Sequence, residues 1–188
     1  MVRLSRREKD DLRWWLHLLP SWNGVSLFVH QKLAPLDDFS VTSDASGSVG
    51  LGIVFGSAWV AEQWPPIPSD THISVLELIP IVIAAHIWGH RWSRKSVLFH
   101  CDNTAVVHCL QAGLCKHPHL SFLLRELVTL AVYHSFRFSA KHVPGVHNKV
   151  TDALSRFRFQ VFKSLRPWAD AERTPVPQGL ISRLLKSG

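Results

Sequence analysis

The sequence predicts an α/β domain built on a mixed β-sheet with helices on its faces. Three short strand-like segments joined by tight turns come first, and this arrangement is typical of an antiparallel meander. Helices and strands then alternate, as they do in parallel β-α-β units. The chain has 188 residues, of which 46% are hydrophobic and 19% are charged. It is therefore long enough to bury one core and too apolar to be disordered throughout.

Residues 1–38 are predicted to form an N-terminal helix and a connecting segment. Ser5 and Glu8 have the spacing of a capping box, in which each side chain satisfies a free backbone amide at the start of a helix. Apolar residues follow at helical spacing, namely Leu12, Trp15, Leu16 and Leu19. This helix has no partner within its own segment, so we expect it to pack on the main domain or on another protein. Residues 31–38 are typical of a linker.

Residues 39–158 contain the predicted sheet and most of its helices. Strand-like alternation and tight turns place the first three strands at residues 39–44, 51–55 and 57–64. Prolines then end this part of the sheet. The later elements are a long apolar helix at 73–92, a strand at 96–101, helices at 104–111 and 119–133, a strand at 136–142 and a last helix at 150–157.

Residues 159–188 form a basic C-terminal tail that contains several prolines. Only residues 180–185 have a pattern that adds a helical turn, so we expect a flexible tether. Nine of the 21 basic residues, but only three of the 14 acidic ones, lie at positions 141–188. The net charge of +7 is concentrated at this end, which predicts an anionic partner near it. A solvated basic tail is the alternative.

Three carboxylates lie at positions where a charged side chain is unfavourable, and a fourth follows them in the chain. Asp44 ends the apolar first strand, and Glu77 lies inside the long apolar helix. Asp102 follows a buried strand, and Asp152 begins the last helix. Because an unpaired buried carboxylate is costly and few basic residues lie nearby in sequence, a bound divalent cation is expected. Oxygen ligands favour Mg²⁺ or Mn²⁺ over zinc.

Each carboxylate also has an ordinary structural interpretation. Asp44 alone is compatible with a turn, and Asp152 alone with a helix start, where the dipole favours negative charge. Glu77 and Asp102 are harder to explain in this way because apolar residues surround them in sequence. The four together, in this order of elements, favour a two-metal site that acts on a phosphodiester.

The motifs that contain these carboxylates resemble ribonuclease H. They are VTSDAS at 41–46, LEL at 76–78, HCDNT at 100–104 and HVPGVHNKVTDALSR at 142–156. More narrowly, they resemble the ribonuclease H domain of retrotransposon reverse transcriptases, with the DIRS-type elements, which carry a tyrosine recombinase, as the nearest match. Segments at 11–15 and 22–24 resemble the connection between polymerase and ribonuclease H in those elements. The resemblance covers residues 5–158.

The resemblance implies a ribonuclease H-like fold with a five-stranded mixed sheet in which strand 2 is antiparallel. It implies hydrolysis of the RNA strand of RNA/DNA hybrids with two Mg²⁺ or Mn²⁺ ions. By position, the metal-binding and catalytic carboxylates are Asp44, Glu77, Asp102 and Asp152. His142 takes the position of a histidine that assists proton transfer or product release in many relatives, and His147 is the alternative.

Five side chains are expected to contact nucleic acid: Ser46, Asn103, Asn148, Lys149 and Arg156. Ser46 and Asn103 follow catalytic aspartates and are expected to meet the RNA strand, where the 2′-hydroxyl distinguishes RNA from DNA. Asn148 has the alternative role of ordering its loop. Lys149 and Arg156 are expected to meet phosphates.

The spacing of Asp102 and Asp152 departs from some relatives. The two residues are 50 positions apart, and two helices and a strand fill that span, so no room is left for the extra basic helix with which some relatives grip the hybrid. We therefore expect weak substrate binding by this chain alone, and a reverse-transcriptase polymerase domain is a second expected partner. The chain is expected to be an element fragment or a domesticated gene product.

Two other functions remain open, a non-catalytic module that binds RNA/DNA hybrids and a DNA nuclease on the same fold. Trp59 and Trp64, on the early strands, are candidates for base stacking. A zinc site is not favoured, because no common spacing fits its four candidate ligands, Cys109, Cys115, His117 and His119.

Composition also restricts where the protein is expected to act. Three cysteines are too few for a disulfide framework, which favours a reducing compartment. No uninterrupted apolar run reaches the length of about 18 residues that a membrane helix needs, and charges occupy the position of a signal peptide. We expect an intracellular protein of the nucleus or cytoplasm, with no membrane partner and no small-molecule cofactor.

Overall fold

The computed structural model describes residues 3–22 and 39–186. The predicted linker at 31–38 and the motif at 23–24 lie outside the described residues. Five strands are present, β1 (Phe39–Ala45), β2 (Gly50–Phe55), β3 (Ala58–Gln63), β4 (Ser96–Cys101) and β5 (Arg137–His142). Seven α-helices are described, α1 (Arg6–Leu18), α2 (Ile73–Trp88), α3 (Thr104–Ala112), α4 (Pro118–His134), α5 (Lys149–Ser155), α6 (Phe159–Leu165) and α7 (Leu180–Lys186). The five predicted strands and the five helices predicted up to residue 158 are confirmed within two residues, except that α2 ends at Trp88 and a 3-10 turn continues it to Trp92.

The five strands form one mixed sheet in the order β3-β2-β1-β4-β5. Strand β2 runs antiparallel to both neighbours, whereas β1, β4 and β5 run parallel to one another. This is the ribonuclease H-like fold that the sequence predicts. Because β1 and β4 are parallel neighbours at the centre of the sheet, residues that follow their carboxyl ends lie at the same edge.

Helices cover both faces of the sheet. Along β2, alternate residues point to opposite faces. Leu51, Ile53 and Phe55 belong to the large core that contains α2 and α4. Val54 belongs to a second, smaller cluster with α5 and α6. The sheet is therefore buried on both sides, as expected when parallel strands are connected by helices.

Helix α2 is the central helix of the large core. All of its residues from Ser74 to Ala85 are buried, including Glu77 and the internal Pro80. With its 3-10 extension it forms a stretch of 20 residues, Ile73–Trp92, that is long and apolar enough to cross a membrane. The stretch is not an uninterrupted apolar run, because Glu77, Pro80 and His86 lie within it. However, 78% of this window is buried inside the protein, so the stretch serves as a core helix.

The N-terminal capping box is confirmed. The Ser5 hydroxyl accepts a hydrogen bond from the Glu8 amide (3.3 Å), and the Glu8 carboxylate accepts one from the Ser5 amide (2.6 Å). Helix α1 then runs to Leu18, whose side chain is 4% exposed and reaches the large core.

The expectation of a flexible C-terminal tether is wrong for residues 159–186. Helix α6 inserts Phe162 (1% exposed) into the smaller cluster, and α7 inserts Leu180, Leu184 and Leu185 into the large core. The prolines and basic residues of this segment lie at the surface between buried anchors. The boundary proposed at residue 158 stays a prediction.

The low number of cysteines predicts no disulfide framework, but the structure contains a disulfide among the described residues. Cys109 and Cys115 form a disulfide, while Cys101 is free and buried. The buried His119 contacts the carbonyl of Leu184 through Nε2 (2.7 Å). Three of the four residues considered for zinc are thus used in other ways, and no such cluster forms among the described residues.

Candidate active site

Four elements bring the predicted carboxylates together. Asp44 lies near the end of β1, and Asp102 directly follows the end of β4 beside it. Glu77 comes from the second turn of α2, and Asp152 comes from α5. Burial raises the pKa values of Asp44 and Glu77 most. The negative charges of Asp102 and Asp152 then raise the pKa of Asp44, and those of Asp102 and Asp44 raise the pKa of Glu77. The fold therefore assembles these four residues, which the sequence separates by more than a hundred positions, into one acidic cluster.

Glu77 is the most deeply buried member of this cluster. Its side chain is 5% exposed, and its Oε2 atom is buried without a hydrogen-bond partner among the described residues. Burial, followed by the charges of Asp102 and Asp44, raises the pKa of Glu77 to about 9, against a weaker opposing effect of the Ala45 amide. A carboxylate in this position requires a proton or a cation near neutral pH.

Asp44 is 6% exposed, but both of its oxygens have partners. The Ser155 hydroxyl donates to Oδ2, and the Asn148 amide nitrogen Nδ2 donates to Oδ1 (3.2 Å). Burial raises the pKa of Asp44 to about 6, although the Ser155 hydrogen bond opposes the change. The neighbouring carboxylates of Asp102 and Asp152 raise it further.

Asp102 is half-buried, and its pKa is raised mainly by burial. The charge of His142 acts in the opposite direction. His142 is exposed at the end of β5, with its ring nitrogen Nε2 3.2 Å from the Asp102 carbonyl oxygen. The structure thus places His142 beside the acidic cluster. His147, the alternative, is exposed in the following 3-10 turn.

Asp152 differs from the other three carboxylates because it forms ion pairs with arginine side chains. Its carboxylate contacts Arg156 Nε (2.6 Å) and Arg158 Nη1 (3.6 Å). Its side chain is 35% exposed, so it lies at the solvent-facing edge of the cluster. Arg156, predicted to meet phosphate, is also exposed but holds Asp152 in this structure.

The donors fit a hard divalent cation. Glu77, Asp102 and the intervening Cys101 offer ligand atoms that all lie within 4.8 Å of one another, and no other such group is found in the described part of the chain. Burial, followed by the charge of Glu77, raises the pKa of the Cys101 thiol, so the thiol stays neutral and is a weak ligand. The remaining ligand atoms of this group are the carboxylate oxygens of Glu77 and Asp102, and such oxygens favour Mg²⁺ or Mn²⁺.

Two of the residues predicted to contact nucleic acid lie inside the protein. Ser46 is 5% exposed, and its hydroxyl accepts from the amides of Ser48 and Val49, so it orders the β1–β2 turn. Asn148 is 2% exposed, which corresponds to its alternative role in ordering the loop. Neither side chain is available as a surface contact in this structure.

The other predicted contacts lie nearer the surface. Asn103 is half-buried and caps α3 by accepting from the amides of Ala105 and Val106. Lys149 is exposed at the start of α5. Of the candidate stacking residues, Trp59 is 6% exposed and packs against Phe159 and Phe162, and Trp64 is half-buried. Their indole nitrogens donate to the carbonyls of Asp170 and Ser46.

Three residues near the site were not identified from the sequence: Cys101, Ser155 and Arg158. Cys101 was identifiable as the residue between the buried strand and Asp102. Ser155 lies three residues after Asp152, which places both on one side of a helix. That spacing was a usable signal. Nothing in the sequence distinguishes Arg158 from the other basic residues near it.

No protein-family model matches the chain, and no curated protein matches it. Among solved structures, LC11-RNase H1 in complex with an RNA/DNA hybrid has 18% identity and a TM-score of 0.48, over 62% of this chain and 92% of that one. RNase H1 from the halophilic archaeon Halobacterium salinarum has 16% identity and a TM-score of 0.44, and the match covers 65% of this chain and 97% of that one. The N-terminal RNase H domain of Rv2228c from Mycobacterium tuberculosis, a fusion with maltose binding protein, has 18% identity and a TM-score of 0.46. That match covers 61% of this chain and 95% of the other. The strand order of this chain and its four convergent carboxylates identify its ribonuclease H-like fold and its candidate site.

Proposed function

We propose that the protein is a metal-dependent ribonuclease H that hydrolyses the RNA strand of RNA/DNA hybrids. The observation that carries this proposal is the acidic cluster around Glu77. One carboxylate oxygen there is buried without a hydrogen-bond partner among the described residues. The carboxylates of Asp102 and Asp44 act on Glu77, and that of Asp152 acts on Asp44. Such a cluster destabilises the metal-free protein near neutral pH, so a function that uses bound cations explains it better than a structural role.

The residues that would hold two Mg²⁺ or Mn²⁺ ions are Asp44, Glu77, Asp102 and Asp152. When bound, a pair of such ions supplies stabilisation of the negative charge on the attacking and leaving oxygens of a phosphodiester. Asp44 near the end of β1 and Asp102 just after β4 would hold these ions from the sheet, whereas Glu77 and Asp152 would hold them from separate helices.

Other side chains at the edge of the cluster have roles in proton transfer and substrate binding. His142 is exposed beside Asp102, so its ring can exchange a proton with solvent and with a reacting oxygen. Lys149, Arg156 and Arg158 are exposed on the α5 side and would contact phosphates of the hybrid. Arg156 would have to leave Asp152 for this contact.

The finer assignments follow from the sequence motifs. The LEL motif at 76–78 and the HVPGVHNKVTDALSR motif at 142–156 support an origin in a retrotransposon reverse transcriptase, with DIRS-type elements as the nearest match. A polymerase domain is the corresponding protein partner. We also infer an intracellular location, in the nucleus or cytoplasm, where such hybrids form.

Cleavage of an end-labelled RNA strand tests the proposal. The RNA is annealed to DNA or to RNA and incubated with Mg²⁺, Mn²⁺ or EDTA. We expect metal-dependent cleavage of the RNA/DNA hybrid only, and loss of cleavage in Asp102→Asn. Asp170→Asn, which removes an exposed carboxylate away from the cluster, is the matched control and should cleave normally.

Two outcomes would contradict the proposal. An intact hybrid in every reaction, with hybrid binding retained, would favour a non-catalytic binding module. Cleavage of duplex DNA in preference to the hybrid would favour a different nuclease on the same fold.

The stability of the metal-free protein gives a second test that needs no substrate. In the unfolded chain Glu77 has a pKa near 4.5, whereas in the fold the pKa is raised to about 9. The folded state therefore binds more protons in this range, and stability falls as pH rises from 4.5 towards 9. We expect thermal unfolding in EDTA to show this fall, and Glu77→Gln to remove most of it. A wild-type melting temperature that is unchanged over this range would contradict the buried cluster.

A further inference from the structure

Resting on the proposed function, we propose that Ser155 is a positioning residue for the metal site. Its hydroxyl fixes the carboxylate of Asp44 in the orientation that binds a cation. Helix α5 then has two roles, because it contributes Asp152 as a ligand and Ser155 as the group that orients a ligand on β1.

The contact between Ser155 and Asp44 is fully enclosed. Ser155 is 0% exposed, Asp44 is 6% exposed, and the Ser155 hydroxyl donates to Asp44 Oδ2. The other acceptor within reach of this hydroxyl is the carbonyl oxygen of Asp152, at 3.1 Å. An ionised carboxylate is a stronger acceptor than a backbone carbonyl, so the proton goes to Asp44 whenever Asp44 is charged.

The second oxygen of Asp44 is held by the same part of the chain. Asn148 Nδ2 donates to Asp44 Oδ1 (3.2 Å) and to the carbonyl of Ser43 (3.1 Å). The Thr151 hydroxyl donates to Asn148 Oδ1, which fixes the amide so that its nitrogen faces Asp44. Asn148 and Thr151 are 2% and 0% exposed, so solvent does not compete for these bonds. Each carboxylate oxygen of Asp44 retains a second lone pair for a cation.

A glycine allows α5 to come close enough for this contact. Gly52 on β2 is the register partner of Asp44 on β1. A Cβ atom added at Gly52 would lie 2.5 Å from the Thr151 carbonyl oxygen, 2.6 Å from Leu154 Cβ and 2.8 Å from the Ser155 amide nitrogen. The helix therefore rests directly on the strand backbone, next to the carboxylate that it orients.

The consequence for metal binding follows from the freedom that Ser155 removes. Without the Ser155 hydroxyl, Asp44 Oδ2 loses this donor, and the carboxylate is held by Asn148 at Oδ1 alone. Groups that orient metal ligands in this way typically contribute about 10–100-fold to metal affinity. Ser155 should act through Asp44 and make no contact with metal or substrate.

Titration of Mn²⁺ into the full chain without nucleic acid tests this role. The readouts are calorimetric binding and the Mn²⁺ concentration at half-maximal thermal stabilisation. We expect Ser155→Ala to raise that concentration about tenfold. Ser43→Ala is the matched control, because the Ser43 hydroxyl is equally buried, lies next to Asp44 in sequence and has no hydrogen-bond partner among the described residues. It should leave the midpoint unchanged.

A second variant keeps the test decisive if Ser155→Ala folds poorly. Thr151→Val has nearly the same shape and removes only the hydroxyl that orients Asn148. We expect it to raise the Mn²⁺ midpoint in the same direction but by a smaller factor, since it acts through one further side chain. Thr151→Ser keeps the hydroxyl and should restore the wild-type midpoint.

The outcomes separate this inference from the proposed function. Equal midpoints for wild type, Ser155→Ala and Thr151→Val would overturn the positioning role while the proposed function stands. A wild-type chain that binds no Mn²⁺ would overturn the metal site itself, and the positioning role with it. A higher midpoint in both hydroxyl-removing variants, with Ser43→Ala unchanged, supports the inference.

Discussion

Helix α1 leaves most of its apolar side chains exposed, whereas the C-terminal segment, residues 159–186, inserts four apolar side chains into the core. Leu16 on α1 is 72% exposed. Phe162 on α6 and Leu184 on α7 are 1% and 0% exposed. Both segments flank the sheet and its central helices, so the difference lies in how each one is attached.

Among the described residues, few contacts hold α1 in place. Its buried side chain is Leu18, and Trp14 is half-buried with its indole nitrogen donating to the Thr129 hydroxyl (2.9 Å). An ion pair joins Asp11 to Arg125 on α4. The apolar residues predicted from helical spacing therefore lie mostly on the outer side of this helix.

The C-terminal segment follows the free edge of β3. The amides of Asp170 and Thr174 donate to the carbonyls of Ser57 (2.9 Å) and Trp59 (2.8 Å). Arg173 then donates to the carbonyl of Ala61 (2.9 Å). Three successive outward carbonyls of the edge strand are thus satisfied, which protects the edge from pairing with another chain.

The comparison shows that apolar composition and docking are separate properties. Helix α1 has the stronger apolar pattern but the weaker attachment. The C-terminal segment is rich in prolines and charges, yet a few apolar anchors and backbone hydrogen bonds fix it. Prolines favour this arrangement because they limit the freedom of the unfolded segment and so reduce the entropy lost on docking.

Deletions give the largest expected contrast. A chain that ends at residue 158 loses four buried apolar side chains, each stabilising by about 1.5–3 kcal/mol, which approaches the whole stability of a domain. We expect it to be unfolded or aggregated by circular dichroism and light scattering. A chain that starts at residue 23 should fold, with a melting temperature lowered by roughly 10 °C. Equal stability of the two shortened chains would contradict the comparison.

A pair of point substitutions sharpens the same contrast. Phe162→Ala creates a cavity beside Trp59 and should destabilise the protein by about 3–5 kcal/mol. Leu16→Ala removes an exposed side chain and should change stability by no more than about 0.5 kcal/mol. Urea unfolding measures both values. A loss above about 2 kcal/mol in Leu16→Ala would mean that the outer side of α1 is covered.

Two tryptophans each form an indole hydrogen bond that joins a terminal segment to the rest of the protein. Trp59 on β3 donates to the carbonyl of Asp170 (2.8 Å), and Trp14 on α1 donates to Thr129. Trp59→Phe should cost about 2 kcal/mol because the site is buried, and Trp14→Phe about 1 kcal/mol. Chemical denaturation measures the loss of stability in each variant. A larger loss in Trp14→Phe than in Trp59→Phe would contradict the stronger attachment of the C-terminal segment.

Adjacent residues on α4 bind the two terminal segments. Arg125 pairs with Asp11 on α1, and Glu126 pairs with Arg183 on α7 (2.7 Å) and with His86 (3.0 Å). Asp11→Asn should change stability by no more than about 0.5 kcal/mol, and Glu126→Gln by about 1 kcal/mol.

The Glu126 contribution should also depend on pH. Hydrogen bonds from His86 and then Arg183 lower the pKa of Glu126 from 4.5 to about 2. Its stabilising effect is therefore complete above 4.5 and is lost as pH falls towards 2. Urea unfolding of wild type and Glu126→Gln should give converging stabilities at about pH 2. A constant difference at all pH values would exclude the ion pair as its cause.

Three carboxylates of the site were predictable because each interrupts or ends an apolar pattern, and Asp152 was predictable because it belongs to the motif that resembles ribonuclease H. Residues 73–85 of the apolar helix contain one charged residue, Glu77, and Asp102 directly follows a buried strand. The order of strands and helices then predicted the sheet. The side chains behind the site were less accessible to prediction. Ser46 and Asn148 are polar residues of a kind that often contacts a ligand at the surface. In the folded protein they are buried, and their hydrogen bonds to other residues of the chain determine their roles.

The sequence by itself determined the element order, the apolar core helix and the four acidic positions, because periodicity and the cost of a buried charge are local properties of the chain. Only the tertiary structure decided that Ser155 meets Asp44, that α7 enters the core and that Cys109 pairs with Cys115. Ser155 and Asp44 are 111 residues apart, and α7 lies far along the chain from the core helices that it contacts. Contacts at such separations depend on how complete elements pack, and a local pattern does not contain that information.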